Sequence, residues 1–102
     1  MHVRVASYDV PQERLDEAVE NFREAAKKIE ELEGLAGGYV LVDQGGRVVT
    51  ITFWESLLAL EATETRASVI RQGAVQAVGG HVRSVESFDV AAELRPVTRA
   101  ER

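Results

Sequence analysis

The run Val48-Val-Thr-Ile-Thr-Phe-Trp-Glu-Ser56, continuing straight into Leu57-Leu-Ala-Leu-Glu-Ala62, decides the fold. Its β-branched and aromatic residues from Val48 to Trp54 read as a strand. Glu55 or Ser56 then opens a helix, because a side-chain oxygen there can accept from an unpaired amide of the first turn. Along the strand, Val49, Ile51 and Phe53 fall on one side and Val48, Thr50, Thr52 and Trp54 on the other. A sheet with one solvated face alternates apolar and polar residues. Here both sides are apolar or uncharged, so both are expected to be covered.

Just upstream, Gln44-Gly45-Gly46 supplies a tight turn with glycine where positive φ is needed, and Leu35 to Asp43 pairs back as the preceding strand. Gly37-Gly38 within it predicts a bulge or a close backbone approach. From Pro11 to Glu33 the period is helical, with Leu15, Ala18, Val19, Phe22, Ala25, Ala26, Ile29 and Leu32 on one stripe. That is about 23 residues, or a rod of roughly 34 Å. Glu24 is placed to meet Lys28, and Gly34 is the expected stop. His2 to Val10 is a further strand, with Val3 and Val5 on one face and Ala6, Tyr8 and Val10 on the other.

Downstream of Ser56, the apolar positions Leu57, Leu60, Ala67, Ile70, Ala74, Val75 and Val78 continue the helical reading. The polar stretch Ala62 to Ser68 and Gly73 leave open one long helix or two shorter ones. Gly79-Gly80 ends the region, and His81 to Val90 is the last strand. The order β-α-β-β-α-β predicts a ferredoxin-like α+β sandwich with one antiparallel sheet and two helices on one face. The expected division is a single domain over residues 1–92 and a tail over 93–102, read as a mobile segment or an arm onto a partner. One domain cannot cover the second sheet face itself, so a homodimer with the two sheets face to face is expected.

Composition excludes several classes of function. A net charge of −5 in 102 residues, with scattered basic side chains, argues against a nucleic-acid backbone as partner. The absence of cysteine removes disulfides, thiolate metal sites and a cysteine nucleophile. No apolar run is long enough for a membrane span, and the N-terminus lacks a signal pattern; a cytoplasmic location is the default.

Tyr39-Val-Leu-Val-Asp43, the Gly45-Gly46 turn, Val48 to Phe53 and the Trp54-Glu55-Ser56 entry to a helix together resemble the dimeric α+β barrel superfamily, nearest its antibiotic-biosynthesis-monooxygenase-like domains. The resemblance spans roughly Val3 to Val90. It implies a pocket walled by the Trp of the Trp-Glu-Ser signature, here Trp54. The family's cofactor-independent oxygenases carry an Asn, a Tyr and a His where this chain has Thr50, Leu60 and Val40. Their helical Arg corresponds to Ala74, with Arg71 one turn away as a substitute. The haem-degrading branch would place a Trp and a haem-ligating His at Thr63 and Gly73, and an Asn near Ala6 or Ser7. The chain therefore departs from both branches and keeps Trp54.

The candidate ligand pocket consists of Trp54, Thr50, Tyr8, Phe22 and Arg71. Trp54 offers a face on which a planar molecule can stack, although a large aromatic at a strand end is also ordinary core. Thr50 and Thr52 offer small hydrogen-bonding groups on the same face. Tyr8 offers a phenol, against the plainer reading of a strand-end hydroxyl in water. Arg66 and Arg71 could hold an anion, against a solvated helix face. His2 and His81 make a poor metal set without neighbouring carboxylates, and they fall at opposite ends of antiparallel strands. Arg4 and Arg83 are expected to pair with Glu86 or Asp89 across the ladder. No catalytic residue, metal or cofactor is assigned.

Two functions stand at this level. One is oxidation of a small aromatic or quinol-type molecule that itself supplies electrons to O₂. The other is a non-catalytic dimeric domain that binds a small hydrophobic ligand or serves in assembly. An amino-acid-sensing domain of the same general fold is a third, and such domains usually accompany another domain.

Overall fold

The computed structural model describes residues 1–97, so the end of the expected tail lies outside the described residues. The elements are β1 (His2–Asp9), a 3₁₀ turn (Gln12–Arg14), α1 (Leu15–Ile29), β2 (Leu35–Val42), β3 (Arg47–Trp54), α2 (Leu57–Gln76) and β4 (His81–Asp89). All four strands are antiparallel, in the order β2-β3-β1-β4, and the helices lie together on one face. The ferredoxin-like plan is therefore present, and strand limits fall within a residue of those expected.

Local chemistry explains the joints. In the β2–β3 turn the Asp43 carboxylate accepts from the amides of Gly45 (2.8 Å) and Arg47 (3.2 Å). Gly46 adopts φ +95°, and its carbonyl accepts from the Val10 amide at 2.8 Å, which ties the hairpin to the end of β1. Opposite β3, β2 shifts register between Leu35 and Gly37, the bulge its glycine pair predicts. Ser56 caps α2: its hydroxyl accepts from the Ala59 amide at 3.1 Å.

α1 corrects the sequence reading, and α2 decides between its two alternatives. α1 covers 15 residues, not 23. A 3₁₀ turn occupies the segment after Pro11. At the other end Glu30, Glu31 and Glu33 crowd a helix terminus where negative charge is disfavoured. The chain there closes in tight turns, with the Leu32 amide donating to the Ile29 carbonyl. Leu32 stays buried although it is not helical. Glu24 meets Lys27 at 3.1 Å, not Lys28. α2 runs unbroken for 20 residues through Gly73 and the polar stretch. Thr63 lies inside it and returns its hydroxyl proton to the Ala59 carbonyl at 2.8 Å, so its buried oxygen is satisfied within the helix.

The core divides into two clusters. One joins Ala6, Tyr8, Leu15, Phe22, Val48 and Val75, with the Tyr8 and Phe22 rings 4.8 Å apart. The other joins Leu32, Trp54, Leu60 and Ala67. Val3, Ile51, Phe53 and Tyr39 belong to the opposite, helix-free face. Tyr39 is 66% exposed there, with its ring edge-on to Phe53.

Candidate functional site

A cavity of about 240 Å³ lies between α1, the β2–β3 end of the sheet and α2. It borders both core clusters, taking Phe22 and Ala25 from the first and Trp54 and Ala67 from the second. From β2 it is flanked by Leu35, Gly37, Gly38, Tyr39 and Val40, two of them glycines. A Cβ at Gly38 would meet the Ile51 carbonyl at 2.5 Å, so the close approach of β2 to β3 beside the cavity requires glycine.

Trp54 is completely buried and forms part of the cavity wall. Its indole N–H donates to the Thr52 hydroxyl at 2.9 Å, leaving the apolar ring for packing. Thr50 and Thr52 also line the cavity. Tyr8 is placed differently from expectation. It has no solvent exposure, lies outside the lining, and shares a hydrogen bond of 2.9 Å with Thr50. Burial pushes its phenol above the ordinary value; the Thr50 hydrogen bond and the nearby Arg71 and Arg4 oppose that rise. Phe22 and Arg71 are on the wall, so four of the five expected residues come together there.

Arg71 is buried, not on a solvated helix face. Its guanidinium donates to both carboxylate oxygens of Glu64, at 3.3 and 3.2 Å. Arg4 meets the same carboxylate through Nε at 2.9 Å and donates from Nη2 to the Leu60 carbonyl at 2.6 Å. The expected pairing of Arg4 with Glu86 or Asp89 is thus corrected. Opposite Arg4 stand Ser87 on β4 and Thr52 on β3, and its side chain lies under the helices. Burial holds the Arg4 guanidinium below its ordinary value; Glu64 counteracts this and Arg71 reinforces it. Arg83 pairs with Asp9 at 3.5 Å.

Arg4 and Glu64 are the site residues that sequence reasoning missed. Arg4 shares its strand parity with the core residues Ala6 and Tyr8, and that signal was available. Glu64 had none, since its role depends on which strand α2 covers. Of the positions that depart from the family pattern, Thr50 and Val40 line the cavity, while Leu60 and Ala74 are in the two core clusters. Arg71 is on the wall and Ala74 is not. His2 and His81 sit opposite Asp89 and Asp9, at the two ends of the β1–β4 ladder. Among the described residues no three His, Asp or Glu side chains gather as a metal site.

Comparison with known proteins places this arrangement. Two curated Mycobacterium tuberculosis sequences, the uncharacterised proteins Rv2558 and MT2635, are each 38% identical over 64 residues, 62% of this chain. The match spans only 27% of the length of those relatives. SnoaB, a cofactor-independent oxygenase from Streptomyces nogalater, superposes with a TM-score of 0.76 at 15% identity, over 93% of this chain and 97% of SnoaB. The Mycobacterium tuberculosis heme-degrader MhuD, solved with two hemes in its active site, superposes at 0.73 and 22% identity, over 93% of this chain and all of MhuD. At these identities the two structures establish the shared fold. The sequence profile of the antibiotic biosynthesis monooxygenase family matches residues 1–69, and the chain belongs to that family.

Proposed function

We propose that the cavity beside Trp54 receives a small planar aromatic or quinol-type molecule, and that the protein oxidises it with O₂ without a cofactor of its own. The observation that carries this reading is an apolar cavity walled by Trp54 and Phe22, with Thr50, Thr52 and the largely exposed Tyr39 as its neutral hydrogen-bonding residues. Its volume of about 240 Å³ is below the usual range of roughly 300–1,000 Å³ for drug-sized ligands, so it suits one or two rings. The likeness to SnoaB supports oxygenase chemistry as the first choice. In such a reaction a ring CH₂, present in the keto tautomer of the phenol, and O₂ yield C=O and water. The substrate provides all four electrons, and no group on the protein changes oxidation state. The haem alternative is disfavoured by the chain's own residues, because Gly73 and Thr63 stand where that branch has its ligand and second Trp.

The acting unit in this proposal is a homodimer joined through the helix-free sheet face, where Tyr39, Leu41 and Phe88 are 66%, 47% and 50% exposed. An apolar face of that kind on a small domain marks an association surface. Among the described residues no helix is long and apolar enough to cross a membrane, and the cysteine-free composition fits the cytoplasm as the proposed compartment.

A non-catalytic binding role is favoured by one observation: the ionisable residues on the wall are Arg4, Arg71 and the exposed Glu30 and Tyr39, with no histidine among them. Oxygen consumption with a panel of hydroquinones and naphthol-type phenols separates the two. Turnover that disappears in Trp54→Ala supports the oxygenase. Saturable binding without oxygen uptake makes the domain a binding module.

A further inference from the structure

Arg4 is 3% exposed and Arg71 7% exposed, and both are on the cavity wall. Among the described residues their one ionic partner is the single carboxylate of Glu64, which is 42% exposed at its side chain. Two buried cations against one half-solvated anion leave the buried part of the wall net positive; Glu30, the other carboxylate that borders the cavity, is exposed to solvent. Arg4 Nη1 is moreover buried with no hydrogen-bond partner among the described residues. A buried guanidinium donor left unpaired is costly, because water is lost and nothing replaces it. The guanidinium also packs over Trp54, with its central carbon 5.2 Å from the ring centroid. Charge and aromatic surface therefore adjoin in one wall.

We propose that Arg4 and Arg71 form an anion-binding subsite, and that the molecule entering the cavity is an aromatic carboxylate whose carboxylate completes the cluster. The inference deepens the aromatic-ligand reading above and rests on it. A planar carboxylate matches the fork of a guanidinium and can accept from the free Nη1. The ring then lies along the apolar wall of Phe22 and Trp54. Glu64 has a defined part: it neutralises the arginines in the empty protein and competes with the ligand for them.

That competition distinguishes the subsite from a purely structural ion cluster. The test is calorimetric titration of the full chain with naphthoate and with its neutral isostere naphthamide, at neutral pH and fixed salt. Naphthoate is expected to bind about tenfold tighter, the scale of one charge-assisted hydrogen bond. Arg71→Gln and Arg4→Gln should abolish the preference, read as the ratio of naphthoate to naphthamide affinity within each variant. Glu64→Gln should tighten naphthoate several-fold, an outcome that loss of structure cannot produce. Arg71→Gln and Glu64→Gln suffice if Arg4→Gln does not fold. Equal binding of the two probes, or weaker naphthoate binding by Glu64→Gln, overturns the anion subsite and leaves the aromatic reading standing. Binding of neither probe overturns both.

Discussion

Arg4 on β1 and Trp54 on β3 are diagonal neighbours on the helix-covered face, with the guanidinium carbon 5.2 Å from the indole centroid. The indole thus belongs to the core cluster of Leu32, Leu60 and Ala67 and also packs against a charge. Trp54→Ala should cost about 3–5 kcal/mol, the usual scale for deleting a buried large aromatic. Trp54→Phe, which keeps a ring for packing, should cost distinctly less. Urea unfolding followed by circular dichroism, at one protein concentration, measures both. A loss under about 1 kcal/mol in Trp54→Ala would show that the ring is not core.

Tyr8 and Thr50 satisfy each other across β1 and β3 at 2.9 Å. Thr50→Val should lower stability by about 1–3 kcal/mol, because it strands a buried phenol. Tyr8→Phe removes the group that needs a partner, so Thr50→Val added to Tyr8→Phe should cost much less than Thr50→Val alone. A double-mutant cycle with no coupling would refute the pairing.

Burial raises the Tyr8 phenol above its ordinary value. The folded chain then keeps this proton after the unfolded chain has released its own. In that interval the unfolded state binds fewer protons, and stability falls as pH rises. The contribution is intact below the unfolded value of about 10 and is lost as pH climbs through the folded value. Alkaline unfolding in a Tyr39→Phe background isolates Tyr8. Tyrosinate absorbance there should appear later than in the denatured chain, and Tyr8→Phe should flatten the alkaline slope.

Gly34 and Ser56 together set the entry to α2. Ser56→Ala deletes the bond to the Ala59 amide and should cost about 1 kcal/mol. Gly34 has φ +89°, its carbonyl accepts from the Glu55 amide at 2.9 Å, and an added Cβ would run into the Ala59 side chain. Gly34→Ala should therefore cost more than the cap. Thermal melts of both variants give the order, and the reverse ranking would count against the crowding at Ala59.

Ile51 lies on the helix-free face beside Tyr39 and Val5. If that face joins two copies, Ile51→Asp should shift sedimentation from twice the 11.2 kDa of one chain to a single chain while helix content is kept. A wild-type chain that sediments as a monomer at micromolar concentration removes the dimer from the proposal.

Local physical chemistry was legible in the sequence. Alternation along Val48 to Trp54 set the two faces of β3, the glycines of the β2–β3 turn set the hairpin, and Ser56 announced its helix. Each depends on neighbours a few residues away, and so on backbone sterics and short-range hydrogen bonds. The end of α1 was already less clear, because the apolar stripe continues to Leu32 while the charges of Glu30 and Glu31 end the helix sooner. Tyr8, Arg4 and Glu64 were decided only by tertiary structure. Whether a strand's phenol meets water or a threonine, and whether its guanidinium meets solvent or a carboxylate some sixty residues away, depends on what packs above it. Desolvation and charge pairing act through space, and no spacing along the chain records which carboxylate α2 brings over Arg4.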